Sequence, residues 1–287
     1  MPPGAVALVL TAAVAHATWN FLAKGGSREP AFIAAFSTVA AVVWLPAAIV
    51  AAAVAHQGFG GIELGIIAVS SLLDAAYFVL LAQAYRAGDL SLVYPLARGT
   101  GPALSVAGAV LLFGERLTPL AAAGSALVIA GIVVMSWPGS LARGREAAAS
   151  IAFAVATGAI IASYTLWDSR GVDRVTPLVF EYGRELLRAS IFLPLALVTA
   201  GGRGSLREVW REHRLAAVGV GVLSPGAYVL VLAALTMAPV TYVAPAREVS
   251  IVFGAVLGWR LLGESEPLRR VGGACAIVAG VFALALG

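Results

Sequence analysis

Two arginines with matching surroundings are the first candidates for chemistry in this sequence. Arg98 and Arg247 lie 149 residues apart, and each closely follows a proline, Pro95 or Pro245, in an apolar stretch. A guanidinium offers forked donors that match the two oxygens of a carboxylate or phosphate, and a proline loosens the helix around it. The pair therefore predicts a site for an anionic group. The alternative is an internal ion pair with one of three carboxylates, Glu248, Asp74 or Glu181.

A second group of charges falls inside one apolar stretch, at Glu181, Arg184, Glu185 and Arg188. Their spacing of three and four residues places all of them on one face of a helix. Opposite charges on that face can neutralise each other, which lowers the cost of inserting them into a membrane. The alternative is that Glu181 or Glu185 binds a substrate amine or a coupling proton.

Two trios of polar and aromatic residues repeat the same spacing in different parts of the chain. They are His16, Trp19 and Asn20, and Tyr164, Trp167 and Asp168. Each trio occupies one helical face. We expect His16 and Tyr164 to line a cavity because they lie deeper in their stretches. Trp167 is a further cavity candidate, although tryptophan near the end of a span usually anchors at the membrane interface.

Two tyrosines, Tyr77 and Tyr228, lie in the middle of apolar stretches. Each could offer a ring and a hydroxyl to a ligand. Each could equally pack in the protein interior with one internal hydrogen bond. Asp74, one helical turn before Tyr77, is a further candidate partner for an arginine.

The composition describes the environment of these residues. The chain has 287 residues, of which 60% are hydrophobic and 12% charged, and its mean hydropathy is +0.93. Soluble domains contain about 25% charged residues. A soluble enzyme, a disordered chain and a disulfide scaffold are therefore poor interpretations, and the single cysteine, Cys275, excludes a disulfide framework.

Ten apolar stretches are long enough to cross a bilayer, which takes about 20 residues. Backbone polar groups in lipid need internal partners, so the spans must be helical. The seventh is the least apolar because it contains the four charges. The predicted spans are Gly4–Ala23, Ala31–Ala55, Ile62–Ala84, Leu90–Phe113, Pro119–Trp137, Ala147–Trp167, Pro177–Ala200, Leu215–Leu235, Val240–Leu262 and Val271–Leu286.

The chain also repeats internally. Gly114-Glu115 matches Gly263-Glu264 at the same offset of 149 residues as the arginines. We therefore predict an all-α integral membrane protein with ten transmembrane helices in two five-helix repeats, residues 1–137 and 147–287, joined by a linker at 138–146. An odd number of helices in each repeat inverts the second repeat relative to the first. The fourth and ninth helices are expected to meet at the pseudo-twofold axis.

The positive charge lies mostly beside the spans. The net charge is +4, but the lysines and arginines concentrate in short gaps, which is typical of loops at a membrane surface rather than of a nucleic-acid site. Eleven of them lie in gaps that follow odd-numbered spans, Arg260 lies at the end of the ninth span beside such a gap, and three lie in the other gaps. The positive-inside rule therefore predicts that both termini lie outside the cytoplasm.

These features resemble the EamA family of the drug/metabolite transporter superfamily. The resemblance rests on the paired five-helix halves, on His16-x-x-Trp19-Asn20, and on the Gly-Glu pairs before the fifth and tenth helices. It implies a ten-helix protein of the bacterial inner membrane that moves small metabolites, often outward, with amino-acid exporters prominent among its relatives. It also implies cytoplasmic termini, in contrast to the charge distribution.

The sequence lacks several motifs that would indicate other functions. It contains no phosphate-binding Gly-rich lysine loop and no metalloprotease or nucleophile-elbow motif, and its three histidines are scattered. We therefore expect no cofactor, no metal and no enzymatic activity. The predicted function is secondary transport of small polar or zwitterionic metabolites by alternating access, with amino acids as the leading substrates and a proton as a possible coupling ion. A lipid or isoprenoid-carrier translocator and an intramembrane enzyme are the alternatives.

Eight residues are the predicted substrate contacts. They are Arg98, Arg247, Tyr77, Tyr228, His16, Tyr164, Trp167 and Glu181.

Overall fold

The computed structural model describes residues 1–23, 30–87, 90–136, 145–198, 202–262 and 268–287, and within these ranges the secondary structure is helical. Twelve α-helices follow one another along the chain. They are α1 (Pro3–Ala23), α2 (Pro30–Val54), α3 (Gly61–Ala87), α4 (Leu90–Phe113), α5 (Pro119–Ser136), α6 (Arg145–Gly171), α7 (Pro177–Val198), α8 (Gly202–Glu212), α9 (Arg214–Leu235), α10 (Val240–Ala246), α11 (Ser250–Leu262) and α12 (Leu268–Leu286).

Length and apolar composition make these helices membrane spans. Seven described helical segments are long and apolar enough to cross a bilayer, and α5 and α12 contain shorter apolar segments. The helix α7 carries four charged residues and does not reach the same apolar level. Four helices begin at a proline, whose missing N–H costs nothing at a first helical position. These residues are Pro3, Pro30, Pro119 and Pro177.

Two elements differ from the ten predicted spans. The predicted ninth span, Val240–Leu262, is divided by a 3₁₀ turn at Arg247–Val249 into α10 and α11. Pro245 lies just before the break and removes one backbone donor from this part of the span. The second difference is α8, an amphipathic helix in a segment that we expected to be a loop. The predicted linker lies mostly outside the described residues.

The contact between α5 and α12 reveals the symmetry of the molecule. Gly124 faces Gly280 and Gly131 faces Gly273, so the two helices run antiparallel. A Cβ at Gly131 would lie 2.7 Å from the carbonyl oxygen of Gly273, which shows how closely the two backbones approach. At the offset of 149 residues Gly124 matches Gly273 and Gly131 matches Gly280, so each glycine of α5 contacts the sequence match of the other. This exchange is the signature of a twofold axis between inverted repeats.

Other helix pairs obey the same symmetry. The helix α1 packs against α9 as α6 packs against α3, and α2 packs against its own counterpart α7. Both α2 and α7 contain an internal proline at matching positions, Pro46 and Pro194. The helix α4 contacts α10, as expected for the fourth and ninth spans. The fold is thus an all-α membrane protein of two inverted repeats.

Both termini lie on the same face of the bundle. The Met1 ammonium donates a hydrogen bond to the Ala285 carbonyl oxygen, 3.1 Å away. Gln57, between α2 and α3, joins the loop between α6 and α7 on this face, because its side-chain oxygen accepts a hydrogen bond from the Thr176 backbone N–H at 2.9 Å. The helix α7 begins at this face and ends at the opposite one. The helix α8 follows α7 and therefore lies at the opposite face.

Candidate functional site

A polar cavity of about 60 Å³ lies where the two repeats meet. Five of the eight predicted site residues line it, and they come from α1, α4, α6, α9 and the 3₁₀ turn. The lining consists of Ala12, Ala13, His16, Arg98, Tyr164, Ala227, Tyr228, Val231, Arg247, Glu248 and Ser250. This space admits a few water molecules.

Arg98 is held at the cavity by contacts from the second repeat. Its Nη2 lies 2.9 Å from Glu248 Oε2 and donates to Ser250 Oγ at 3.3 Å. Glu248 is only 1% exposed, whereas the Arg98 side chain keeps 17% of its surface. The ion pair that the sequence left open is therefore formed with Glu248, and the arginine still presents part of its surface to the cavity.

Arg247 contacts the same carboxylate, that of its neighbour Glu248 in the 3₁₀ turn. Its Nε lies 3.4 Å from Glu248 Oε1, and its Nη2 donates to the Thr165 hydroxyl at 3.2 Å. One carboxylate thus lies between two guanidinium groups. The charged lining carries more positive than negative charge, and an anionic group in the cavity would balance it.

Three tyrosine rings form a row beside the cavity. Tyr164 packs edge-to-face against Tyr228 with ring centroids 6.3 Å apart, and against Tyr77 at 6.4 Å. Tyr164 and Tyr228 line the cavity, whereas Tyr77 is not part of the lining and supports Tyr164 from behind. Edge-to-face pairs of this kind fix ring orientation.

Tyr228 connects the cavity to a buried charge network. Its hydroxyl donates a 2.6 Å hydrogen bond to Asp168 Oδ2. The Arg184 guanidinium lies over the Tyr228 ring at 4.4 Å from the centroid, and its Nη1 is 3.6 Å from Asp168 Oδ2. Asp168 is completely buried. The sequence placed it on the same face as Tyr164, but it did not reveal this partner.

The network continues through α7 to α3. Arg184 contacts Glu181 at 3.0 Å and Asp74 at 3.1 Å, and Arg188 contacts Asp74 at 2.6 Å and also pairs with Glu185. The four charged residues of α7 are buried and face the bundle. Neutralisation within the helix and by Asp74 therefore explains why α7 tolerates the membrane.

Three predicted contacts lie outside the cavity lining: Tyr77, described above, and Trp167 and Glu181. Trp167 is 39% exposed on the outer surface, and its indole N–H donates to the Ile66 carbonyl oxygen at 2.9 Å. This position agrees with the alternative of an anchoring tryptophan. Glu181 is buried against Arg184 and does not reach the lining. The spacing of residues shows which of them share a helical face, but it does not show whether that face points to the cavity or away from it.

His16 lines the cavity from α1, and its ring packs edge-on against Trp19 at 4.9 Å. The lining residues absent from the predicted contacts are Glu248, Ser250 and small apolar side chains. In the sequence, the position of Glu248 next to Arg247 was the feature that indicated a role for it at the cavity. The 3₁₀ turn, which directs consecutive residues to the same cavity, had no signal beyond Pro245.

No group of three or more His, Cys, Asp and Glu side chains is arranged to hold a metal ion within the described parts of the chain. The chemical capacity of the cavity is therefore that of guanidinium, carboxylate, imidazole and phenol groups. Together they can bind a small polar molecule that carries a negative charge.

Curated relatives match part of this chain. The spermidine export protein MdtI of Klebsiella pneumoniae is 37% identical over 98 residues, which cover 32% of this chain and 88% of the relative. The protein of the same name from Salmonella paratyphi A is 36% identical over 100 residues, or 33% of this chain and 90% of the relative. These relatives have the length of about one repeat.

A solved crystal structure matches almost the whole fold. It covers 98% of this chain and 96% of its own, with a TM-score of 0.77 and 20% sequence identity. At that identity the match concerns the fold alone. The sequence profile of the EamA-like transporter family matches twice, at residues 3–137 and 148–286. The chain therefore belongs to the EamA-like transporter family and is a multi-pass protein of the bacterial inner membrane.

Proposed function

We propose that this transporter exports a small zwitterionic metabolite, with amino acids as the leading substrates. The observation that carries the proposal is the pair Arg98 and Arg247, which comes from both repeats to one cavity with Glu248 between them. The excess positive charge suits a substrate carboxylate, while Glu248 offers a place for an amine. Direction follows from the export named for the relatives.

The charge of the cavity argues against a polyamine substrate. Spermidine is a polycation, and two guanidinium groups in the lining would repel it. The carboxylates of the α7 network are paired with Arg184 and Arg188 and do not line the cavity. The named relatives match only about one third of this chain, so their substrate does not transfer by similarity alone.

Alternating access between the inverted repeats is the proposed transport mechanism, and the small cavity supports it. In the described state the cavity measures only about 60 Å³, so loading a substrate as large as an amino acid would involve separation of the inverted repeats. Substrate contacts from both repeats would then differ between the two open states. A substrate can shift the equilibrium between these two open states only if its affinity for them differs.

The lipid-translocator alternative needs a lateral opening that leads from the bilayer to the polar cavity. An apolar crevice does face the bilayer, but none of its lining residues also lines the cavity. Because the crevice and the cavity share no lining residue, a water-soluble substrate is favoured over a lipid. An intramembrane enzyme would need a nucleophile next to a base, and the described lining residues do not form such a pair.

Proton coupling is a further part of the proposal. The charged residues around the cavity and in the network comprise five carboxyl groups and four guanidinium groups, all at least largely buried. One bound proton would remove the excess negative charge, which is costly inside a membrane. The expected readout is export that a transmembrane pH gradient accelerates, and the loss of this acceleration in Asp168→Asn.

The test of substrate class is counterflow in proteoliposomes. Radiolabelled amino acids, spermidine and nucleosides are offered to vesicles loaded with the unlabelled compound. We expect exchange of amino acids without chemical change. Arg98→Gln and Arg247→Gln should each lower the exchange about 10-fold to 100-fold, since a charge-assisted hydrogen bond contributes about 1.5–3 kcal/mol.

Matched variants separate charge from folding. Arg170→Gln removes an arginine that stacks on Phe113, 3.9 Å from the ring centroid and away from the cavity, and it should exchange normally. Arg98→Lys keeps the charge but loses the forked donors, so a partial loss is expected. Exchange of spermidine in preference to amino acids, or full activity without either cavity arginine, would overturn the proposal.

A further inference from the structure

An apolar crevice of about 540 Å³ lies on the lipid-facing surface, separate from the substrate cavity. It is formed by α2, α7, α8 and α9, with Val39 and Val43 on one wall, Leu193 on another and Leu206 and Trp210 at the α8 end. The Thr38 hydroxyl in the wall donates to its own helix, to the Ala34 carbonyl oxygen at 2.7 Å. The crevice therefore offers an almost wholly apolar surface.

The length of the crevice matches one leaflet. Its α2 wall runs from Ala34 to Val43, which is about 14 Å at 1.5 Å per residue. Half of the hydrocarbon core of a bilayer is about 15 Å. The crevice thus begins beside α8, at the membrane face, and ends near the middle of the bilayer, as a bound acyl chain would.

The faces of α8 place positive charge at the mouth of the crevice. Val209 is buried in a cluster with Phe32 and Phe36, while Leu206 and Trp210 border the crevice. With about 3.6 residues per turn, Arg207 and Arg211 form a stripe directly beside the Trp210 edge.

By the same spacing Glu208 lies opposite Trp210, and Glu212 lies on the other flank of the buried face from Arg207. Arg211 reaches Glu212 at 2.7 Å, while Arg207 forms no hydrogen bond or ion pair with the residues that the structure describes. Both arginines are exposed, so an anionic group at the mouth of the crevice can reach them.

We infer that this crevice binds one anionic phospholipid, with an acyl chain along α2 and the phosphate beside Arg207 and Arg211. Guanidinium groups are good partners for phosphate oxygens, and the apolar length requires a chain that a soluble phosphate lacks. Basic residues on an amphipathic helix at a membrane surface attract anionic lipid headgroups. The lipid would contact both α2 and α7, the equivalent helices of the two repeats, and stabilise their packing.

The experiment uses the purified full chain in detergent and measures thermal unfolding with added dioleoyl-phosphatidylglycerol, dioleoyl-phosphatidylcholine or inorganic phosphate. A ligand that binds the folded state raises its Tm. We expect phosphatidylglycerol to raise the Tm by several degrees more than phosphatidylcholine, and inorganic phosphate to have no effect. Native mass spectrometry should show one retained phosphatidylglycerol for each chain.

Separate variants test the headgroup contact and the acyl-chain contact of the lipid. Arg207→Gln with Arg211→Gln should abolish the preference for phosphatidylglycerol, whereas Arg116→Gln, which removes an exposed arginine at the opposite face, should keep it. Val42→Trp should fill the crevice and lower the retained lipid. Leu111→Trp, at a lipid-facing residue of α4 that is 81% exposed, is its control.

The inference is overturned by any of three results. These are equal stabilisation by both lipids, an unchanged lipid preference in the double arginine variant, and stabilisation by inorganic phosphate alone. Retention of a protein instead of a lipid at the crevice would also overturn it. None of these results depends on transport, so the proposed substrate is tested independently.

Discussion

At the scale of single residues, Glu248 decides what the two cavity arginines can do. It is almost completely buried, yet it contacts both Arg98 and Arg247. A buried ion pair costs much of its own attraction in desolvation, so the pair is weak evidence for stability. Its clearer effect is to hold both guanidinium groups at one cavity while leaving one positive charge unbalanced.

Tyr228→Phe tests the hydrogen bond between the cavity and the charge network. Removal of the hydroxyl leaves buried Asp168 without its 2.6 Å donor. We expect a loss of about 1–3 kcal/mol in the free energy of unfolding, the cost of an unsatisfied buried group. Chemical unfolding in detergent measures it. Tyr242→Phe is the control, because that hydroxyl makes only a 3.5 Å contact with the Gly287 carbonyl oxygen, and equal losses in both variants would contradict the expectation.

Asp74→Asn tests the acid that α3 contributes to α7. Asp74 accepts hydrogen bonds from both Arg184 and Arg188, which are buried. Breaking one side of a buried ion pair costs about 3–5 kcal/mol, so this variant should unfold at a much lower denaturant concentration. Glu208→Gln removes an exposed acid of α8 and should have little effect. A stable Asp74→Asn protein would show that the network does not depend on α3.

At the scale of secondary structure, close backbone approach controls how the repeats join. The Gly-Glu pair after α4 forms one such connection between the repeats. Gly114 has a φ of +66°, a conformation that favours glycine, and it ends α4. The carboxylate of Glu115 then accepts the backbone N–H groups of Val240 and Thr241 at 3.1 and 2.9 Å. It thereby caps α10 in the other repeat, where the helix dipole favours a negative charge. Its sequence match, Glu264, lies outside the described residues.

Gly280→Val tests the contact between α5 and α12. A Cβ at Gly280 would lie 2.6 Å from the carbonyl oxygen of Gly124, so the helices would have to separate. We expect a loss of about 1–3 kcal/mol or more, as for overpacked cores, and a lower Tm in detergent. Gly272→Val lies in the same helix with no atom within 4 Å and serves as the control. A tolerated Gly280→Val would refute the tight crossing.

At the scale of the whole molecule, the twofold arrangement is retained in the packing but broken in chemistry. The helices α2 and α7 occupy equivalent places, yet α2 carries no charged residue and α7 carries four buried charges. The first repeat therefore contributes only Asp74 to the described network on that side. The two repeats thus share a fold, while their charges differ.

The inverted topology can be tested by labelling cysteines from one side of the membrane. In a Cys275→Ser background, His56→Cys lies at the face of the termini and Glu208→Cys lies on α8. An impermeant thiol reagent should reach the two positions from opposite sides of the membrane. The positive-inside rule further predicts that the position on α8 is cytoplasmic. Labelling of both positions from one side would contradict the fold, whereas an external α8 would contradict only the charge-based orientation.

The sequence by itself determined the membrane environment of this protein, its all-helical fold and its duplication, because hydropathy and repeats are local properties of the chain. It also identified both cavity arginines and Glu248 as a possible partner. The tertiary structure decided that Trp167 faces outward, that Glu181 is paired with Arg184 away from the cavity, and that the ninth span breaks at Arg247. These outcomes depend on the depth and rotation of each helix relative to its neighbours, which are fixed only when all of the helices pack together.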